Sequence, residues 1–116
     1  MTEHELQNKI RVALSEYGLV FRTNAGAFWQ GRRVWSRELQ SVVLTDLQKV
    51  EGLPEGFPDL LFLDARGCAL IEVKAPGGRL RGTQARFLNQ VQAMGLRAGV
   101  ARSVQDAIDI ILGGQS

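Results

Sequence analysis

Asp59, Glu72 and Lys74 are the residues of this chain whose types and spacing could do chemistry. Asp59 closes the stretch Gly56-Phe57-Pro58-Asp59, while Glu72 and Lys74 stand two apart in Ile71-Glu72-Val73-Lys74. Each group sits at the end of an apolar run, Leu60-Leu61-Phe62-Leu63 for the first and Ala69-Leu70-Ile71 for the second. If Ala65 and Arg66 form a plain two-residue turn between antiparallel strands, pairing sets Asp59 opposite Glu72 with both side chains on one face. Lys74, two residues on, shares that face. A bulge at Gly67 would slip the register by one and turn Glu72 away.

Two carboxylates converging at the mouth of a sheet make a hard oxygen site suited to Mg²⁺ or Mn²⁺, ions that keep several waters and accept a phosphate oxygen as a further ligand. Such an ion polarises a phosphodiester and lowers the pKa of a bound water, and a nearby ammonium can orient that water and offset charge growing on the phosphorane. This chemistry assigns Asp59 and Glu72 as metal ligands and Lys74 to the water or the transition state. A Glu and a Lys two apart on a strand often form only a solvated ion pair. Here they interrupt an apolar run that opens opposite a Pro-Asp, a place where charges are costly without a purpose.

The elements that must position these groups can be read from periodicity. Glu3 to Tyr17 carries Leu6, Ile10, Ala13, Leu14 and Tyr17 at helical spacing, with Gly18 as its stop. Leu19 to Asn24 reads as a strand, and Phe28 to Val50 as either a hairpin or a short helix, with a turn suggested at Gly31-Arg32-Arg33. Asp59–Leu63 and Cys68–Lys74 form the hairpin already described. Pro76-Gly77-Gly78 leads to a helix from about Thr83 to Met94, with Phe87, Leu88, Val91 and Met94 inward and Gly95 as its stop. Ala98 to Arg102 is a short buried strand. Ser103 then N-caps a last helix, with Asp106 three residues on as an acidic capping box and Gly113-Gly114 at its end.

Length and composition bound the rest. A chain of 116 residues with an ordinary apolar fraction is expected to form one domain over 1–116. No apolar run approaches the ~20 residues of a membrane span, and the start lacks a signal-peptide pattern, so the expected location is the cytoplasm. One Cys and one His leave too few ligands for zinc and point any metal toward oxygen. Of 14 basic residues only Lys9, Lys49 and Lys74 are lysines. That bias favours guanidinium forks on phosphate, although a GC-rich genome would produce it as well.

With these residues in place the sequence resembles the PD-(D/E)XK nuclease superfamily, and within it the VRR-NUC (virus-type replication-repair nuclease) family, including its small stand-alone phage and bacterial members. The likeness extends to Glu3-His4-Glu5-Leu6-Gln7, Phe21-Arg22-Thr23-Asn24-Ala25-Gly26, Gly78-Arg79-Leu80, Thr83-Gln84, Phe87-Leu88 and Gly99-Val100-Ala101-Arg102-Ser103. It implies an α/β fold with a restriction-endonuclease-like core, a mixed sheet flanked by helices in the order αβββαβα.

The resemblance also implies a metal-dependent endonuclease acting on branched DNA in the manner of a Holliday-junction resolvase, working as a homodimer. Its ligands would be Asp59, Glu72 and the backbone carbonyl of Val73. An acidic residue of the first helix would approach the metal directly or through water, and a helical wheel favours Glu3, near the apolar stripe, over Glu5, with Gln7 one turn on. Gln84 would position water or phosphate. Arg79, Arg81 and Arg86 would clamp phosphate beside the metal, with Gly77, Gly78 and Gly82 admitting the nucleic-acid backbone. Arg22, Arg32, Arg33 and Arg37, interleaved with Phe28, Trp29 and Trp35, suit stacking on exposed bases, whereas burial of at least one Trp in the core or a subunit interface is the competing expectation. Two other functions fit less well: a non-catalytic nucleic-acid module on the same fold, and a restriction-like nuclease that reads sequence.

Overall fold

The computed structural model describes residues 1–113. Helix α1 (Glu3–Leu14) starts where Thr2, extended, accepts the Glu5 N–H at its hydroxyl (3.1 Å), and Glu3 and Glu5 place negative charge against the helix N-terminus. Leu6, Ile10 and Leu14 form its buried stripe. The helix stops three residues earlier than its apolar spacing predicts, and Tyr17 is half exposed. Gly18 ends it through close packing, since a Cβ there would collide with the Leu63 carbonyl and lie 2.8 Å from the Phe62 ring.

The chain continues through β1 (Leu19–Arg22), β2 (Ala27–Ser36), β3 (Ser41–Glu51), β4 (Leu60–Asp64), β5 (Gly67–Val73), α2 (Gly82–Ala93), β6 (Arg97–Ala101) and α3 (Val104–Ile111). The order is thus αβββββαβα, longer than expected by one hairpin. Four strands make a mixed sheet in the order β1-β4-β5-β6, antiparallel except for the β5–β6 pair. The parallel pair needs a crossover, and α2 provides it.

Alternation along these strands sorts the core onto two faces. Leu60, Phe62, Ala69, Ile71, Val73 and Ala101 pack against α1 and α3, while Leu61, Leu70, Ala98 and Val100 pack against Leu88 and Val91 of α2. Fully buried side chains such as Phe62, Ile10 and Ile71 each contribute about 1.5–3 kcal/mol from removal of apolar surface. Met94, expected inward, lies just past α2 and points to solvent. Ser103 caps α3 through the Asp106 N–H (3.0 Å), and the Asp106 carboxylate reaches the Arg102 N–H rather than the cap's own. Gly113 takes a positive φ at the end of that helix; Gly114 lies outside the described residues.

At the far end from the candidate chemistry, Arg97 forks onto Asp64 (2.7 and 3.0 Å) and also donates to the carbonyls of Ile111 and Gly67. The guanidinium holds the Asp64 carboxyl below its ordinary range. One side chain therefore ties β6, the β4–β5 turn and the end of α3 together.

Strands β2 and β3 form a separate two-stranded ribbon. Of the two options open for this segment, the hairpin is the one present. Neither Trp enters the core: Trp29 and Trp35 are 59% and 61% exposed.

Candidate active site

The β4–β5 turn is a two-residue turn at Ala65 and Arg66, closed by the Arg66 N–H on the Asp64 carboxylate (2.9 Å). Gly67 takes a positive φ but stays paired with Asp64, so no bulge displaces the register. Leu60 pairs with Ile71, which carries Asp59 and Glu72 to opposing positions on one face. Asp59 lies one residue before the strand, where its carboxylate accepts the Val73 N–H (2.9 Å) in place of a ladder carbonyl. In a strand the N–H and C=O of one residue point to the same edge, so the Val73 carbonyl opens toward Asp59.

Glu72 is 1% exposed. One carboxylate oxygen accepts the Gln84 amide N–H (3.0 Å); the other is buried with no hydrogen-bond partner among the described residues. Burial is the main reason its pKa rises to about 8. The Asp59 carboxylate beside it pushes it further up, and so does Glu3, while Lys74 pulls it down. Lys74 is 7% exposed, and its backbone N–H bonds to the Ala101 carbonyl (3.1 Å), prolonging the β5–β6 pairing past the strand. Glu3, not Glu5, is the α1 carboxylate whose charge bears on Glu72.

Gln84 occupies the first turn of α2 and is itself buried. Its amide oxygen accepts the Arg81 N–H (2.8 Å) while its NH₂ donates to Glu72. It therefore caps the helix and fixes the carboxylate at once. Gly56 sets where that helix begins: at φ +90° it turns the loop, and a Cβ there would lie 2.8 Å from Thr83.

Two supports of the site carry no signal in the sequence. Thr23 donates its N–H to the Asp59 carbonyl (3.0 Å) and its hydroxyl to the Pro58 carbonyl (2.6 Å), pinning the Pro-Asp stretch to the end of β1. Arg102 donates to the Ala75 and Gly78 carbonyls (3.1 and 2.6 Å), holding the glycine loop that follows Lys74. Both residues fall in stretches singled out by the resemblance, but a long-range bond from Thr or Arg to a backbone carbonyl leaves no periodic mark.

A cleft of about 550 Å³ opens over this floor, lined by Gln7, Arg22, Thr23, Asp59, Arg81 and Gln84 among others. Arg22 and Arg81 give it positive charge, with Arg81 also 3.6 Å from Glu55. Arg79 and Arg86 are exposed and lie outside the lining. Arg32 and Arg33 sit on the β2–β3 ribbon, Arg32 paired with Asp46 (3.4 Å), so the structure does not bring them to this cleft.

Among the described residues no three His, Cys, Asp or Glu side chains gather closely enough to cage a metal. Two carboxylates do meet, the Asp59 side chain lying close beside that of Glu72. A buried carboxylate oxygen without a donor, facing a second carboxylate, is an all-oxygen arrangement that a divalent cation keeping its own waters would satisfy.

The VRR-NUC domain family model matches residues 1–105, which take in α1 through β6 and the start of α3. No curated protein matches the chain significantly.

Proposed function

The chain belongs to the VRR-NUC family, nucleases of the PD-(D/E)XK type, and from that premise we propose that it is a Mg²⁺- or Mn²⁺-dependent endonuclease that nicks branched DNA. The observation that carries this reading is the buried, donor-free oxygen of Glu72 facing Asp59, with the Lys74 ammonium beside them. Asp59, Glu72 and the Val73 carbonyl would hold the cation. Glu3, exposed at the start of α1 and outside any three-carboxylate cage among the described residues, would act on it through water.

A cation bound there would polarise the scissile phosphodiester and make hydroxide available near neutral pH. Gln84 keeps Glu72 in its rotamer and can reach a water or phosphate oxygen at the cleft wall. Lys74, enclosed by protein, orients the attacking water and offsets charge on the phosphorane, where low exposure strengthens its field. Arg22 and Arg81 guide the DNA backbone along the cleft. Arg79 and Arg86 extend the phosphate track outside it, and the β2–β3 arginines contact more distant DNA.

No described helix is long and apolar enough to cross a membrane. We place the protein in the cytoplasm as a single nuclease domain, acting as a homodimer because symmetric junction resolution needs two cuts and each chain offers one site. The reading is tested with a labelled four-way junction and the matching linear duplex, each with Mg²⁺, Mn²⁺ or EDTA. Metal-dependent nicking of the junction in preference to the duplex is expected. Tight binding without nicking in any metal would replace this reading with that of a non-catalytic DNA-binding module.

A further inference from the structure

The three charged groups of the cleft floor are held in different ways. The Asp59 carboxylate accepts the Val73 N–H (2.9 Å), and that of Glu72 accepts the Gln84 amide (3.0 Å). Lys74 has no such tie for its ammonium among the described residues: its hydrogen bond comes from the backbone N–H, to the Ala101 carbonyl. A flexible carbon stem separates the ammonium from the strand, so the protein packed along that stem is what aims it.

The glycine loop supplies part of this packing. Gly77 takes a φ of +85°, and the Gly78 N–H returns to the Ala75 carbonyl (2.9 Å), so the chain doubles back directly after Lys74. Gly78 then lies along the lysine stem, where a Cβ would sit 3.7 Å from Lys74 Cδ. Residues 75–78 belong to neither core cluster, and Pro76 and Gly77 are exposed, so apolar burial does not anchor the loop. Arg102 does. Its Nη1 donates to both the Ala75 carbonyl (3.1 Å) and the Gly78 carbonyl (2.6 Å). The arginine is itself well placed: Ala101 pairs with Val73, which sets Arg102 beside Lys74 just past the strand ends, and the Asp106 carboxylate accepts the Arg102 N–H (2.9 Å).

We infer that Arg102 is a positioning residue for Lys74: by pinning the 75–78 loop along the lysine stem, it keeps the ammonium enclosed beside Glu72. What Lys74 then does in cleavage rests on the nuclease reading above, whereas the clamp stands on geometry alone. The competing role for an exposed arginine next to a glycine loop is direct contact with DNA phosphate. Two observations favour the clamp. Nη1 is already committed to the two carbonyls that close the turn, and Arg102 does not line the cleft. Because 7% exposure is low for a lysine outside an ion pair, a loop that came loose would uncover the ammonium and let it swing away from the carboxylates.

The test uses full-length protein with Arg102→Met, which keeps an unbranched stem, and Arg102→Lys, which offers an ammonium to the same carbonyls. Without DNA or metal, the lysines are methylated with formaldehyde and cyanoborohydride and followed by peptide mass spectrometry. In the wild type Lys74 should react at least about ten-fold more slowly than the exposed Lys9 and Lys49. Arg102→Met should bring Lys74 toward their rate, with Lys9, Lys49 and the circular dichroism unchanged, and Arg102→Lys should recover much of the protection. On a four-way junction with Mg²⁺ or Mn²⁺, Arg102→Met should lower the single-turnover rate by about ten-fold or more and leave the dissociation constant and its salt dependence as they are. Lys74 as reactive as Lys9 in the wild type, or still protected in Arg102→Met, would overturn the clamp. So would weaker binding with a salt slope reduced by about one at an unchanged rate, the mark of a lost phosphate contact. If the wild type cuts no DNA in any metal, the nuclease reading falls while the labelling still decides the clamp.

Discussion

Glu72 shows how one residue's surroundings decide its chemistry. A carboxylate this buried beside Asp59 resists ionisation; Lys74 offsets part of that, and the proposed cation would offset more. Asp59→Asn should therefore bind DNA normally but cut at least about 100-fold more slowly, because it removes a charge from the proposed metal site. Lys74→Met should keep metal affinity and lower kcat by about 10²–10³, measured under single turnover. Stability carries the same signature. In the unfolded chain Glu72 titrates near 4.5, in the fold near 8, so the folded form holds the extra proton between these values. Metal-free protein should thus be most stable, on this account, below pH 4.5, lose stability as pH rises toward 8, and level off above it. Asp64, held low by Arg97, acts in the opposite sense only under more acid conditions. Glu72→Gln should flatten the alkaline loss and raise the melting temperature at pH 9 on the order of 5 °C, read by calorimetry in EDTA.

At the scale of elements, the site depends on where strands and helices begin. Asp59 faces Glu72 because the turn is a plain two-residue one and Gly67 stays paired with Asp64; the turn and the alternation were legible in the sequence, whereas the absence of a bulge at Gly67 was not. Gln84 was legible as a first-turn residue; its two-way bridge between Arg81 and Glu72 was not, since it depends on where α2 meets the sheet. The same holds for Gly18, legible as a stop but acting through contact with Leu63 and Phe62. Gly56 combines a positive φ with contact to Thr83. Gly56→Ala should cost about 1–3 kcal/mol in urea unfolding and lower cleavage by shifting α2, hence Gln84, away from Glu72. A variant as stable and active as wild type would remove this loop from the account.

For the whole molecule, the core sheet with its helices followed from periodicity, while the β2–β3 ribbon did not. Its side chains mix aromatic, aliphatic and charged residues on both faces, and a register shift between Gln30 and Arg32, with Asp46 at positive φ, breaks the alternation midway. The ribbon contributes to neither core cluster, so no buried face imposes an alternation on it. The site, in contrast, is assembled within one chain, and ligand binding should report on it as stability. Mg²⁺ at 100 times its dissociation constant should stabilise the fold by about 2.7 kcal/mol through mass action, and Asp59→Asn should abolish that gain.

The central claim is that one divalent cation sits between Asp59 and Glu72. Anomalous scattering from crystals grown with Mn²⁺ tests it most directly: the account predicts a peak within about 2.0–2.4 Å of both carboxylates, lost in Glu72→Gln. Catalytically active crystals with that peak absent, or bound to other residues, would contradict it.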